Sequence, residues 1–324
     1  MSGRKKRRPA APRTEPVPAK AAAPEEPPPR RQGLFGSALT STGPSALPPI
    51  GRSLGRGMLA VAVQPVLIVA ACLIVLGTWV ALVALGFEGS PSRLVDLLAM
   101  PPVSTYFDLG TGATLYGIGP AFLVYLGVSL AVRTLVSSLL AGLVLEALED
   151  GRVSRYGAIR GLIAMPTVLV VQVASLSLIV AGNLIFPILG PGIGFLGFVS
   201  ALVAGLYFLG FAPTAAIREG RPVLDTIRRS ARAAMLPGGR HLVLCSLYFF
   251  IALPVALGFA PGGTEVTANP TLLTWVFVLS ANVLHLGFAA AFAYRWVVAE
   301  PNVPDEPVRR RPATRPAPSR PRRR

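Results

Sequence analysis

Between Met58 and Phe87 the chain runs for thirty residues without a charged side chain. About twenty apolar residues at 1.5 Å each cross the hydrocarbon core of a bilayer, so this run is long enough to span with tilt. Lipid offers the backbone no hydrogen-bond partners, which leaves a helix as the structure such a segment can take alone. The pattern recurs at about Tyr116–Leu145, Ile163–Leu189, Ile193–Ile217, His241–Ala260 and Leu272–Ala299. The expectation is an all-α, polytopic membrane domain over residues 58–299 with six transmembrane helices. Composition agrees: 52% of residues are hydrophobic and only 14% charged, too few charges for a soluble domain.

The formal net charge is nevertheless +16, and it is partitioned. Eleven of the 31 Lys/Arg precede Met58 and eight follow Val308. Three arginines lie between the second and third runs, and six between Arg218 and Arg240. With six spans these regions share one side and hold 28 basic residues, against Arg93 alone in the opposite loops. The positive-inside bias places both termini in the cytoplasm, and the chain in a bacterial cytoplasmic membrane. Nucleic-acid binding would need a basic patch on a folded soluble module, and the sequence shows none. Lysine occurs only at Lys5, Lys6 and Lys20, so the choice of arginine by itself carries no chemical argument.

The basic ends read as disordered. Residues 1–57 form a Pro/Ala-rich arm, and residues 300–324 a Pro/Arg-rich tail; neither has the apolar content to offset its ordering entropy. No apolar h-region follows the early charges, so the arm is not a signal peptide, and Met58 is an alternative start. The Glu88–Thr114 loop contains LVDLLAM, a short interfacial helix by pattern, with Tyr106 and Phe107 suited to the same depth. Gly197, Ala201 and Gly205 form a small-residue face for close helix packing.

Two connections echo each other. Gly151-Arg152 precedes Gly220-Arg221 by sixty-nine positions. In the second, Val223, Leu224, Ile227, Ala231, Ala234 and Met235 form an apolar stripe, and Asp225 stands four before Arg229. Pro237-Gly238-Gly239 stops the helix. In the first, Tyr156, Ile159 and Leu162/Ile163 recur at helical spacing among Arg152, Arg155 and Arg160. Both read as basic amphipathic helices on the membrane surface, arginines toward anionic headgroups. Arg221, Arg228, Arg229, Arg232, Arg152, Arg155 and Arg160 are thus the candidates for contact with lipid or a protein partner.

The pattern AIREGRPVLDTIRRSARAAM between two spans, with LEALEDGRVSRYGAIRGLIAM before it, resembles a broad group of bacterial six-span membrane proteins. That group includes the membrane domain attached to some glycerophosphodiester phosphodiesterases. The resemblance implies a six-span membrane domain. No soluble phosphodiesterase domain is present, so no catalytic residue carries over.

Inside the spans, polar side chains are few. Arg133 in the second shares a helical face with Ser129 and Ser137. It either faces the bundle interior as a site for an anionic group, or slides and snorkels to an interface, or pairs structurally. His285, with Asn282, sits mid-span in the sixth and reads as a hydrogen-bonded structural histidine. His241, beside Arg240, reads as solvated at an interface. Cys72 and Cys245 match no zinc or redox spacing and read as small buried hydrophobes. The sequence holds no phosphate loop, nucleophile elbow, His-Glu-x-x-His or metal-ligand cluster, so no enzyme activity, cofactor or metal is expected. The expected function is a non-enzymatic membrane protein whose basic cytoplasmic face binds anionic lipid or a partner protein, as a component of a larger assembly. The alternative is a transporter or permease subunit with a path past Arg133 and His285.

Overall fold

A computed structural model describes residues 46–84, 100, 113, 117–185, 188, 190–238, 240–256 and 271–304. The expected arm before residue 46, the tail after 304, the interfacial helix, Tyr106, Phe107 and the 261–270 loop lie outside the described residues. Among those described, nine helices succeed one another: α1 Ile50–Val63, α2 Pro65–Ala84, α3 Pro120–Asp150, α4 Arg155–Ile185, α5 Pro191–Leu209, α6 Ala212–Glu219, α7 Val223–Ala234, α8 His241–Ala256 and α9 Leu272–Ala299. Prolines open α3 and α5 at their first residue, where a missing N–H is no loss.

Four helices are long and apolar enough to cross a membrane: α3, α4, α5 continued through α6, and α9 with its terminal turn. The pair α1–α2 makes a fifth if it counts as one broken span, and His241–Ile251 is a shorter apolar helix. Six full-length spans are therefore more than the described helices show. Their outward faces carry large apolar side chains, among them Val69, Leu73, Val128, Ile163, Phe195 and Phe250. So large an exposed apolar girdle marks a lipid or protein contact surface.

Three boundaries differ from the sequence expectation. The arm does not extend to residue 57, because α1 begins at Ile50. Its Ser53, Gly57 and Val61 are buried, and a Cβ on Gly57 would stand 2.4 Å from the Ala291 backbone nitrogen. Glycine, which reads as disorder in the sequence, here lets α1 lie against α9. The first span is also not straight: α1 and α2 meet at 82°. Pro65 has no N–H to continue the ladder, and the Gln64 side chain at the bend donates to the Gly151 carbonyl at 2.6 Å.

The third correction concerns the first connection. Residues 149–165 are not a separate surface helix: only Gly151–Ser154 links α3 to α4, and α4 runs unbroken from Arg155 to Ile185. The echo between the connections is real at their starts. Gly151 and Gly220 both end a helix in the left-handed conformation, at φ 65° and 61°, a geometry glycine adopts without penalty. The copies then diverge. α7 ends before Pro237 and Gly238 (φ 92°), whereas α4 continues through Pro166 into its span.

Glycines also set the α3–α4 contact. A Cβ on Gly142 would lie 2.1 Å from the Gly157 carbonyl oxygen, and one on Gly161 would lie 2.1 Å from that of Ser138. The backbones touch, which is how helices associate in lipid without a hydrophobic drive. Gly197, Ala201 and Gly205 of α5 are buried as well. Two larger cores complete the bundle. One gathers Phe211, Tyr248, Phe292 and Trp296 from α5 to α9, and the other packs α2, α3 and α9 around Leu67, Val75, Val136 and Leu286.

Candidate functional site

The charged end of the bundle is built on carboxylates as much as on arginines. Glu149, at the end of α3, takes Arg160 of α4 at 3.0 Å and also pairs with Arg218 of α6. Arg218 reaches on to Glu300, just after α9, at 2.5 Å. One layer of ion pairs thus ties four helix ends together. Beside it, Glu219 at the end of α6 lies 2.8 Å from both Arg221 Nε and Arg229 Nε. Arg229 Nε also donates to the other carboxylate oxygen at 3.2 Å.

Arg229 is therefore a correction to the expected set. It is buried on α7 and answers a carboxylate of α6 rather than a headgroup. Asp225 meets Arg228 at 3.7 Å rather than Arg229, because Arg229 turns to the protein side. Arg160 and Arg221 are likewise engaged, with Glu149 and Glu219. Arg232 donates to the Pro304 carbonyl at 3.2 Å. Arg228, Arg152 and Arg155 are exposed, as are Arg52 and Arg56 on α1 and Arg240.

α7 presents three faces about 120° apart at 100° per residue. Thr226, Arg229, Ser230 and Ala233 are buried against the protein; Ser230 donates to the Phe208 carbonyl at 2.6 Å. Asp225, Arg228 and Arg232 occupy the second face. The third holds Val223, Leu224, Ile227 and Ala231, with Leu224 67% exposed. The expected apolar stripe of the first connection is outward too: Tyr156, Ile159, Leu162 and Ile163 are all exposed.

Glu146 is a site the sequence reading passes over. It is buried at 1% exposure, yet accepts the Ser154 N–H at 2.9 Å, the Ser154 hydroxyl at 2.5 Å and the Gly157 N–H at 3.0 Å. The carboxylate so placed occupies the N-terminal end of α4, where orphan donors and the helix dipole both favour negative charge. The signal in the sequence is a Glu eight residues before a Ser that opens a helix, but pairing them requires knowing that α3 and α4 are antiparallel neighbours.

A second polar group lies inside the bundle. Arg133 is 6% exposed, so it faces the interior rather than snorkelling. His285 Nδ1 lies 3.0 Å from the Tyr248 hydroxyl, whose oxygen accepts the Met100 N–H at 2.7 Å. The Asn282 amide donates to the Val278 carbonyl at 2.8 Å. From Arg133 to Glu149 is roughly 24 Å along α3, and from His285 to Glu300 roughly 22 Å along α9. Arg133 and His285 thus lie at about the same distance along their helices from the ion-pair layer.

His241 is the other correction. It is buried rather than solvated, stacked on Phe211 with centroids 4.4 Å apart, and its Nε2 is 3.3 Å from the Tyr207 carbonyl oxygen. Phe292 lies edge-on to it, and the Cys245 sulfur is 3.8 Å from Nε2. The break between α5 and α6 supplies Phe211, and α9 supplies Phe292, so the histidine serves as one ring of an aromatic joint. No family model, curated protein or solved structure matches the chain.

Proposed function

We propose that this is a non-enzymatic, multi-pass protein of the bacterial cytoplasmic membrane whose basic cytoplasmic face binds anionic lipid headgroups, as a membrane component of a larger assembly. The carrying observation is the three-faced α7. Its small polar face docks on the protein, while Leu224 and Arg228 remain outward on adjoining faces. An apolar flank beside a basic flank is the arrangement of a helix lying in the bilayer interface. Arg152, Arg155, Arg52, Arg56 and Arg240 extend the basic surface, and each arginine near an anionic leaflet contributes about 1 kcal/mol.

The orientation is part of the same proposal. Ala46 donates to the Pro237 carbonyl at 3.1 Å, and Arg232 reaches the Pro304 carbonyl. Both ends of the described chain thus approach the C-terminal end of α7, in keeping with termini on one side. The six-span count, with α1–α2 as a broken first span and α8 as the fifth, belongs here too, and with it the likeness to the six-span membrane group.

The test is lipid selectivity in reconstituted bilayers. Spin-labelled phosphatidylglycerol should be restricted by the protein more than spin-labelled phosphatidylcholine, and a triple Arg152/Arg155/Arg228→Gln variant should lose most of that preference. Equal preference in the variant overturns the reading. A second reading, a transport path past Arg133 and His285, draws on their burial inside the bundle. Counterflow of a substrate in vesicles that Arg133→Leu and His285→Leu abolish, with the protein still assembled, would establish it.

A further inference from the structure

Along α1 the outward polarity changes from one end of the helix to the other. Arg52, Arg56, Leu59 and Val63 are all exposed, and at about 100° per residue they fall within one sector of about 60°. The two arginines stand one turn apart, about 6 Å along the axis, and Val63 follows about 10 Å beyond Arg56. Leu59 and Val63 are each more than half exposed, and outward apolar side chains continue past the bend at Val66, Val69 and Leu73 of α2. Neither arginine makes an ion pair or a hydrogen bond with another described residue.

The stripe is held from behind. Ser53, Gly57 and Val61 are buried, and Ile50, Leu54 and Met58 pack on the aromatic core. Gly51 and Gly55 are another matter: both are exposed, and a Cβ on either would meet nothing within 4 Å. Helix packing gives no reason for glycine at these two positions, where it lowers helix stability. Gly55, between Arg52 and Arg56 in the chain, leaves bare backbone at which a bulky group can approach both guanidinium groups.

We propose that the outward stripe of α1 binds one anionic phospholipid, its phosphate between Arg52 and Arg56 and an acyl chain along Leu59 and Val63. Guanidinium groups match phosphate oxygens in a two-pronged geometry, and the order of charge then hydrocarbon along the stripe is that of the lipid. On α7 the basic and apolar flanks lie side by side, which suits a helix in the plane of the interface; on α1 they lie end to end, which suits a helix dipping from the headgroups toward the chains. The inference rests on the reading of a basic face that binds anionic lipid, but it uses none of Arg152, Arg155 and Arg228.

The experiment uses the full chain in dodecyl maltoside, with lipid adducts counted by native mass spectrometry. The probes are dioleoyl phosphatidylglycerol, dioleoyl phosphatidylcholine and sn-glycerol 3-phosphate. The first phosphatidylglycerol should bind about tenfold more tightly than the first phosphatidylcholine, and glycerol phosphate should give no adduct. The double variant Arg52/Arg56→Gln should erase that ratio. Gly55→Leu, which crowds the stripe without touching the protein, should bring phosphatidylglycerol toward the affinity of phosphatidylcholine. Leu59/Val63→Ser should weaken both lipids about fivefold. All these positions are exposed, so Tm should stay near that of the wild type. The Arg152/Arg155/Arg228→Gln variant should keep the first adduct. If that variant keeps its lipid preference in bilayers while Arg52/Arg56→Gln loses the first adduct, the α1 site stands and the broader basic face fails. An unchanged ratio in Arg52/Arg56→Gln or Gly55→Leu, undiminished binding in Leu59/Val63→Ser, tight binding of glycerol phosphate, or loss of the first adduct in Arg152/Arg155/Arg228→Gln would each overturn the proposal.

Discussion

Glu146→Ala should destabilise the bundle by about 3 kcal/mol, roughly a hundredfold in the unfolding equilibrium. The substitution removes a carboxylate that is 1% exposed and leaves the Ser154 and Gly157 N–H groups without their acceptor. A buried donor stripped of its partner costs about 1–3 kcal/mol, and the lost charge at the α4 N-terminus adds up to about 1 kcal/mol. Repacking and water return part of that. Glu146→Gln keeps one acceptor but aims an amide NH₂ toward donors, so it should fall between alanine and wild type. Glu149→Gln is the control, since its partners are partly exposed and such pairs contribute about 1 kcal/mol or less. The assay is reversible unfolding in dodecyl maltoside–SDS mixed micelles, followed by circular dichroism. If Glu146→Ala matches Glu149→Gln, the carboxylate does not cap α4 and the reasoning is wrong.

The other close contacts give equally definite outcomes. Gly161→Ala, whose Cβ would meet the Ser138 oxygen at 2.1 Å, should force α3 and α4 apart at about 1–3 kcal/mol in the same micelle titration. Gly127→Ala, with nothing within 4 Å, should stay within about 0.5 kcal/mol. Arg229→Gln leaves buried Glu219 with Arg221 alone and should destabilise by about 2–4 kcal/mol; exposed Arg228→Gln should be neutral within about 0.5 kcal/mol. Gly57→Leu should lift α1 from α9 and let its backbone unwind into a protease, seen as faster tryptic cleavage after the already exposed Arg52 and Arg56 with the remaining bundle intact.

The long apolar helices are legible because lipid would impose one rule on every backbone group, so an uncharged run of that length reads as helix; the 82° break in the first of them at Gln64–Pro65 is not legible in the same way. Periodicity could not reveal which neighbour each helix face meets. Arg228 and Arg229 are adjacent and chemically alike; Arg229 falls on the docked face of α7, where Glu219 at the end of α6 meets it, and Arg228 points outward. Gly57 and Gly161 carry the same composition signal as a flexible linker, yet each marks a backbone-to-backbone contact. The glycine–arginine echo, read in the sequence as two copies of a surface helix, falls at two left-handed helix ends, and the lengths of the helices beyond them are set by residues further along the chain. Pro237-Gly238 stops α7, while Pro166 sits within α4 without ending it. His241 reads as solvated from its arginine neighbour alone; Phe211 and Phe292, thirty and fifty-one positions away, are the rings that enclose it.

The central claim is that α7 lies in the bilayer interface with its apolar flank in lipid and its basic flank at the headgroups. Single cysteines at positions 224, 228 and 233, carrying a nitroxide in phosphatidylglycerol-containing bilayers, test it by power saturation against oxygen and a water-soluble nickel complex. The label at 224 should respond to oxygen, the label at 228 to nickel, and the label at 233, on the docked face, to neither. Equal response to nickel at 224 and 228 would place the whole outer surface of α7 in water and contradict the account.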